Sequence, residues 1–196
     1  AAAPARTVAK PRTGNRPDRL PVAYRIPCDR TGPVKHSKRR VGTLLHIYVD
    51  ADACPVKDEV YRVAERYRLK VTLVANSPFR VPFDERIRLV VVSGSFDAAD
   101  DWIAENCGEG DIVVTADIPL ASRCLKNGAR VIGSTGKPFT DATIGQALAG
   151  RELSQHLRES GLITGGPAPL GKQDRSRFLQ QLDQDIQAIR RSAGIR

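Results

Sequence analysis

An α/β sandwich of three layers, built on a mostly parallel sheet of about five strands, is the fold that this sequence predicts. Three observations carry that expectation. Short apolar runs recur at residues 44–49, 69–75, 87–92, 112–115 and 129–132, each of a length that suits a buried strand. Helical periodicity, and not a two-residue hairpin turn, separates several of them. Strands that alternate with helices in this way form right-handed βαβ units, so the strands run parallel and both faces of the sheet are covered.

The first run ends abruptly at Asp50-Ala51-Asp52. Helix signals follow at once: Pro55 suits a first helical position, Asp58 and Glu59 suit the positive end of the helix dipole, and Val56, Val60, Val63, Ala64 and Tyr67 recur at helical spacing. The second strand, Leu69 to Ala75, stops at Asn76-Ser77-Pro78, and the third, Ile87 to Val92, at Ser93-Gly94. Asp97 is then placed to cap a helix whose inner face is Ala99, Trp102 and Ile103. The fourth strand, Ile112 to Thr115, leads to Asp117 and to a helix rich in Leu and Ala that halts at Asn127-Gly128, after which Ala129 to Ile132 forms the fifth. The last third is helical, with one helix over Ile144 to Leu157, a Gly- and Pro-rich loop from Gly161, and a second helix over Asp174 to Arg191. Phe178, Leu179, Leu182, Ile186 and Ile189 line one stripe of that second helix, which should pack back on the sheet. Residues 44–196 therefore read as one domain without internal repeats.

The net charge of +9 is unevenly placed. Residues 1–43 hold 11 Lys and Arg against 2 Asp, and 6 of the 13 prolines, whereas the remainder holds 20 charges of each sign. That opening stretch reads as a disordered basic tail, open to three roles: solvating extension, nucleic-acid arm or targeting segment. No run of 18 apolar residues occurs, so no membrane span is expected. Cys28, Cys54, Cys107 and Cys124 form no CxxC pair and lack His at zinc-ligand spacing, which suits reduced thiols in a cytoplasmic protein. Cys54 lies near a helix N-terminus, but the thiol-phosphatase loop needs Arg six residues later, where Val60 stands. A small buried residue is the expected role.

Chemistry concentrates in carboxylates. Asp50 and Asp52 follow the first strand, Asp97 the third and Asp117 the fourth, and in a parallel sheet those strand ends share one edge. Should the strand order reverse beside the first strand, the first and fourth become neighbours and bring Asp50, Asp52 and Asp117 together. Asp97 and Asp101, four apart, share a helical face. Crowded carboxylates repel unless a cation relieves them, and hard oxygen ligands without His or Cys point to Mg²⁺ or Mn²⁺. Such ions polarise a phosphodiester and produce hydroxide from water. The competing role for Asp97, Asp141, Asp50 and Asp117 is helix capping, and Asp111, which opens a strand at the opposite edge, is left out of the site.

The motifs DADACPVKDEV, VAN, DAADDWI, GDIVVTADIPLA, GA-R-V, the late GGP and DR-x-x-F together resemble the YaiI/YqxD family of bacterial proteins, itself similar to PIN-like nuclease domains. The resemblance runs from Leu44 to about Leu182. It implies a PIN-like sandwich and a metal-dependent nuclease, with acids matching Asp50, the Asp97 to Asp101 helix and Asp117, and with Thr115 in a Thr-x-Asp pattern. Asp50, Asp97 and Asp117 are the expected catalytic residues, and Asp50, Asp52, Asp97, Asp101 and Asp117 the expected metal ligands. Asp52, Cys54 and the DR element depart from the PIN pattern.

Two other readings stay open. A strand followed by Asp-x-Asp also opens haloacid-dehalogenase-type phosphatases, in which Asp50 would be the nucleophile, Asp52 the acid and Ser93 a phosphoryl contact. Against this, Cys54 takes the place of the usual Thr or Val, and Gly110-Asp111 precedes a strand instead of following one. The second is a non-catalytic module that holds nucleic acid through the tail and through Lys57, Arg123, Lys137 and Arg175. Lys57, Thr115, Arg123 and Arg175 are the candidate substrate-binding residues. Nucleic acid is the expected partner, RNA ahead of DNA, although 10 aromatic residues without a paired-aromatic motif do not themselves separate the two. His36, His46 and His156 are scattered, and none is placed as a general base.

Overall fold

The computed structural model describes residues 45–52, 54–94, 97–160 and 169–194. The basic tail at 1–43 with Cys28 and His36, Leu44, Ala53 of the DADACPVKDEV motif, the Ser95-Phe96 pair before DAADDWI and most of the loop from Gly161, with its GGP, lie outside the described residues. Among the described residues, six strands form one sheet: β1 (His46–Asp50), β2 (Lys70–Ala75), β3 (Ile87–Val91), β4 (Ile112–Val114), β5 (Arg130–Ile132) and β6 (Pro138–Phe139). Their order is β3-β2-β1-β4-β5-β6, parallel throughout except for β6. The order reverses beside β1, so β1 and β4 are neighbours.

The strand count is one higher than expected from the apolar runs. β6 has two residues, too few for any periodicity, and its antiparallel pairing to Val131 and Ile132 comes from a turn after β5. Pro138 is tolerated because β6 is an edge strand.

Strand alternation divides the core. Ile47 and Val49 of β1, Val71 and Leu73 of β2, and Ile112 and Val114 of β4 face one side, under α1 (Lys57–Tyr67) and α5 (Lys172–Ser192). Tyr48, Val74, Val113 and Val131 face the other, under α2 (Ala98–Asn106) and α3 (Ile118–Lys126). α4 (Asp141–Glu159) packs on α3 and remains largely solvent-facing. Phe178, Leu182 and Ile186 of the α5 stripe are fully buried, as the period of 3.6 requires.

Local chemistry sets the ends of the helices. α1 begins at Lys57, so Pro55 sits in the preceding turn and not at the first helical position. It stops at Arg68, whose φ of 54° lets the Arg68 and Leu69 amides return to Glu65 and Ala64 carbonyls. α3 ends at Asn127 and Gly128, the latter at φ 83°, as the sequence predicts. α4 and α5 extend a few residues beyond their apolar stripes at both ends, where solvent-facing turns carry no periodicity. Gly136 is required by a close approach, since a Cβ there would stand 2.5 Å from the Phe178 amide nitrogen. Among the described residues, no helix is long and apolar enough to cross a membrane.

Candidate functional site

Asp50 is the last residue of β1 and has the same parity as Tyr48, so it points to the α2 and α3 side. Thr115 directly follows β4 and has the parity of Val113, which puts it on that same side. The parallel β1–β4 register makes the two neighbours. The Thr115 hydroxyl donates to Asp50 Oδ2 at 2.9 Å and accepts the Asp117 N–H at 2.9 Å, and thus ties both strand ends to the start of α3.

Asp117 is the N-cap of α3. Its Oδ2 accepts the Leu120 N–H at 2.9 Å, while Oδ1 receives Arg151 Nη1 of α4 at 2.6 Å. Capping, posed as the alternative to site membership for this residue, is borne out, and the same carboxylate also meets Arg151 and lies near Asp50 and Asp100.

The third acid of the cluster is Asp100, on the first turn of α2. Burial, followed by the nearby charges of Asp50, Asp117 and Asp97, pushes its carboxyl up to about 6, against a smaller opposing pull from Arg123. Asp50 is also raised, chiefly by burial and then by Asp52 and Asp117, in spite of the Thr115 hydrogen bond. Like charges are therefore held together in partly dehydrated surroundings.

Asp100 was absent from the expected set, although a signal for it exists. It precedes the buried Ile103, Ala104 and Cys107 by three, four and seven residues, so it extends the inward stripe of α2 to the sheet edge. Asp97 takes the N-cap position without a side-chain cap bond and adds charge from the periphery. Asp101 is exposed and pairs with Arg123 at 2.8 Å. Asp52 is exposed too, and its Oδ2 accepts both the backbone and the side-chain N–H of Asn76 at 2.9 Å.

The remaining candidates are distributed around this centre. Lys57 Nζ donates to the Ala51 carbonyl at 3.1 Å and lies 4.5 Å above the Phe79 ring, so it braces the turn after β1. Arg175, on α5, donates to the Pro55 carbonyl and to both oxygens of buried Glu59 at 3.0–3.1 Å, on the other side of the sheet. Lys137 is exposed, in the turn between β5 and β6. Asp141 is the first residue of α4, which Thr140 caps, and Asp111 Oδ2 accepts the Gly108 N–H before β4 begins. His46 Nε2 lies 2.8 Å from the Thr72 hydroxyl, within the sheet. Cys54 is buried and its thiol is raised to about 11, mainly by burial, the opposite of a reactive thiolate.

Among the described residues, no group of three or more His, Cys, Asp or Glu side chains is arranged to hold a metal ion. Among the described residues, the edge gathers three acids, Asp50, Asp100 and Asp117, with the Thr115 hydroxyl on Asp50 and the Arg151 guanidinium on Asp117.

Comparison with known proteins supplies the kinship. The family described as "Uncharacterized BCR, YaiI/YqxD family" matches residues 48–188. A UPF0178 protein of Rhodospirillum rubrum is 57% identical over 148 residues, which cover 75% of this chain and 99% of that one. Another from Rhodospirillum centenum is 60% identical over 152 residues, 76% of this chain and 99% of that one, and one from Nitrobacter winogradskyi is 56% identical over 154 residues, 79% and 98%. The chain belongs to the YaiI/YqxD family.

Proposed function

We propose that this YaiI/YqxD member is a hydrolase of nucleic-acid phosphodiesters that works with a divalent cation held at Asp50 and Asp100. The observation that carries this reading is the gathering of Asp50, Asp100 and Asp117 where β1 and β4 end and α2 begins, where burial first and their mutual charge second raise Asp50 and bring Asp100 up to about 6. A fold keeps such repulsion where something binds to relieve it. The donors are all carboxylate oxygens, which suits a hard cation of the Mg²⁺ or Mn²⁺ kind. A closed cage of three protein ligands is not needed: Mg²⁺ retains several waters and takes one or two carboxylates together with substrate phosphate oxygens.

When bound, the ion would polarise the phosphoryl group and ease formation of hydroxide from water. The protein's own part is positional. Thr115 fixes Asp50 Oδ2 by its hydroxyl, and the Asp52 backbone N–H adds a second hydrogen bond to the same carboxylate. The α3 N-cap locks Asp117 beside it, and Lys57 holds the carbonyl of Ala51, so the turn after β1 keeps its shape while charge changes nearby.

The phosphatase alternative receives less support. Its acid would be Asp52, whose Oδ2 is engaged by two N–H donors of Asn76 and whose side chain is exposed, not grouped with Asp100. Titration calorimetry with MgCl₂ and MnCl₂, together with cleavage of end-labelled single-stranded RNA and DNA, tests the proposal. Metal-dependent cleavage that Asp50→Asn and Asp117→Asn each strongly reduce is expected. A phosphoaspartate trapped on Asp50, with phosphate release from small monoesters, would overturn it in favour of the phosphatase. Intact oligonucleotides with metal-loaded protein would leave a binding module.

A further inference from the structure

Among the described residues, Arg151 is the basic side chain that pairs directly with one of the three acids, and nothing in its sequence surroundings singles it out. It belongs to α4, 34 residues beyond Asp117, and reaches that acid because α4 packs against α3. Other basic side chains near this edge are engaged elsewhere: Arg123 with Asp101 at 2.8 Å, and Lys57 with the Ala51 carbonyl and the Phe79 ring.

Asp117 has two oxygens with different duties. Oδ2 caps α3 through Leu120, and its removal would open the first turn of that helix. Oδ1, the oxygen that can turn to an incoming ligand, is the one that Arg151 holds. The Arg151 side chain remains 46% exposed and that of Asp117 27%, so the pair is reachable from solvent and carries little of the fold's stability. A guanidinium offers five N–H donors in a planar fork that matches two phosphate oxygens.

From this geometry we propose that Arg151 is the phosphate-binding arginine of the site, which leaves Asp117 Oδ1 and takes a non-bridging oxygen of the nucleic-acid backbone when substrate arrives. The inference rests on the hydrolase reading above and deepens it. Charge balance favours the exchange. In the free protein three ionised acids and Arg151 sum to −2, whereas a divalent cation at Asp50 and Asp100 would bring the acids alone to −1, so Arg151 can turn to an anionic phosphodiester and still leave the acids less crowded than before. No covalent step is involved, only the exchange of one anionic partner for another.

The test uses the full chain with saturating MgCl₂ and a fluorescent single-stranded oligonucleotide carrying phosphorothioate linkages to slow cleavage. Binding is measured at several salt concentrations for the wild type, Arg151→Ala, Arg151→Lys and Arg151→Gln. Arg151→Ala should weaken binding about tenfold or more, as expected when a charged hydrogen-bonding group is removed. It should also lower the slope of log K against log salt by about one, the mark of one phosphate that the protein no longer neutralises. Arg151→Lys should keep the slope while binding more weakly than the wild type, because the charge stays and the fork does not. Should Arg151→Ala fail to fold, Arg151→Gln carries the same expectation for the slope, since it retains a donor for Asp117 without the charge.

A folded Arg151→Ala or Arg151→Gln with wild-type affinity and slope would overturn the inference, while metal-dependent cleavage by the wild type in the same preparation would leave the hydrolase reading standing. Wild-type protein that neither binds nor cleaves the corresponding phosphodiester oligonucleotide would overturn both.

Discussion

The two sides of the sheet treat their carboxylates in opposite ways. On the α1 and α5 side, Glu59 is 3% exposed and receives Arg175 at 3.0 Å and Arg62 at 3.3 Å, while Asp185 is buried against Arg130 at 2.8 Å and Gln181. These acids are buried, paired and hydrogen-bonded, the condition under which a charge is tolerated in a core. On the α2 and α3 side, Asp50 accepts from the Thr115 hydroxyl and the Asp52 backbone N–H, with no cation paired to it among the described residues, and Asp100 lies near three other carboxylates against an opposing pull from Arg123. One side is a completed structural network. The other pairs Asp117 with Arg151 and Asp101 with Arg123 but leaves Asp50 and Asp100 opposed, and that opposition where parallel strands end is what supports the proposed site.

The sharpest contrast comes from substituting one acid at a time. Asp50→Asn should reduce Mg²⁺ affinity and any metal-dependent cleavage at least about a hundredfold, more than the loss of a residue that merely supports a ligand. Glu59→Gln should change neither beyond its effect on folding. Equal effects of the two substitutions on metal binding would erase the distinction between the sides.

Stability should answer in the reverse sense. Arg175→Ala leaves Glu59 buried with, among the described residues, only the exposed Arg62 as a charged partner, and should lower stability in urea unfolding by about 2 kcal/mol, a buried-pair loss discounted for the exposure of Arg175. An unchanged midpoint would show that the Glu59 network is as dispensable as a surface pair.

Asp100→Asn should instead stabilise the metal-free protein, by about 1 kcal/mol at pH 7 to 8 after discount for partial exposure. The sign follows from a carboxyl raised from 3.8 to about 6 in the fold. Between those pH values the native state holds the extra proton, so wild-type stability falls as pH rises through this window and the penalty remains in full above it. The gain from Asp100→Asn should accordingly vanish below pH 4. Urea unfolding in EDTA at pH 3.5, 5 and 7.5 checks this, and a gain independent of pH would rule out charge repulsion as its cause. Saturating Mg²⁺ should reverse the ranking at pH 7.5, because an ion that binds only the folded wild type stabilises it.

The smallest effect is expected at Cys54. Raised to about 11 by burial, its thiol should react with iodoacetamide at pH 7.5 far more slowly than a free thiol, and Cys54→Ala should leave metal-dependent cleavage unchanged. Rapid labelling in the folded state would contradict the buried assignment.

Much of this arrangement is written locally in the chain. Apolar runs of strand length followed by helical stripes specify parallel βα units, and the abrupt acids after them specify the edge at which carboxylates gather. Asp50, Thr115 and Asp117 were legible because each directly follows a strand or begins the next helix, where position in sequence and position on the sheet edge are nearly the same thing. Asp100 was harder to see, although the inward stripe through Ile103, Ala104 and Cys107 points to it. Within DAADD, a helix rotation of 100° per residue separates an acid aimed at the sheet from one aimed at solvent, and the eye falls on Asp97 and Asp101 instead.

Other features exist only because distant segments meet. β6 is two residues that acquire strand character by pairing with β5. Arg123 and Arg175, plausible phosphate contacts from their neighbours in sequence, are drawn to Asp101 and Glu59 by the packing of α3 beside α2 and of α5 on α1. Arg151 had no local signal at all, and its meeting with Asp117 depends on α4 lying against α3. The sequence by itself determined where backbone polarity and apolar periodicity change, since those are short-range properties of neighbouring residues. The tertiary structure decided which charges are neutralised and which are left opposed, because Coulomb interactions depend on distance through space and take no account of separation along the chain.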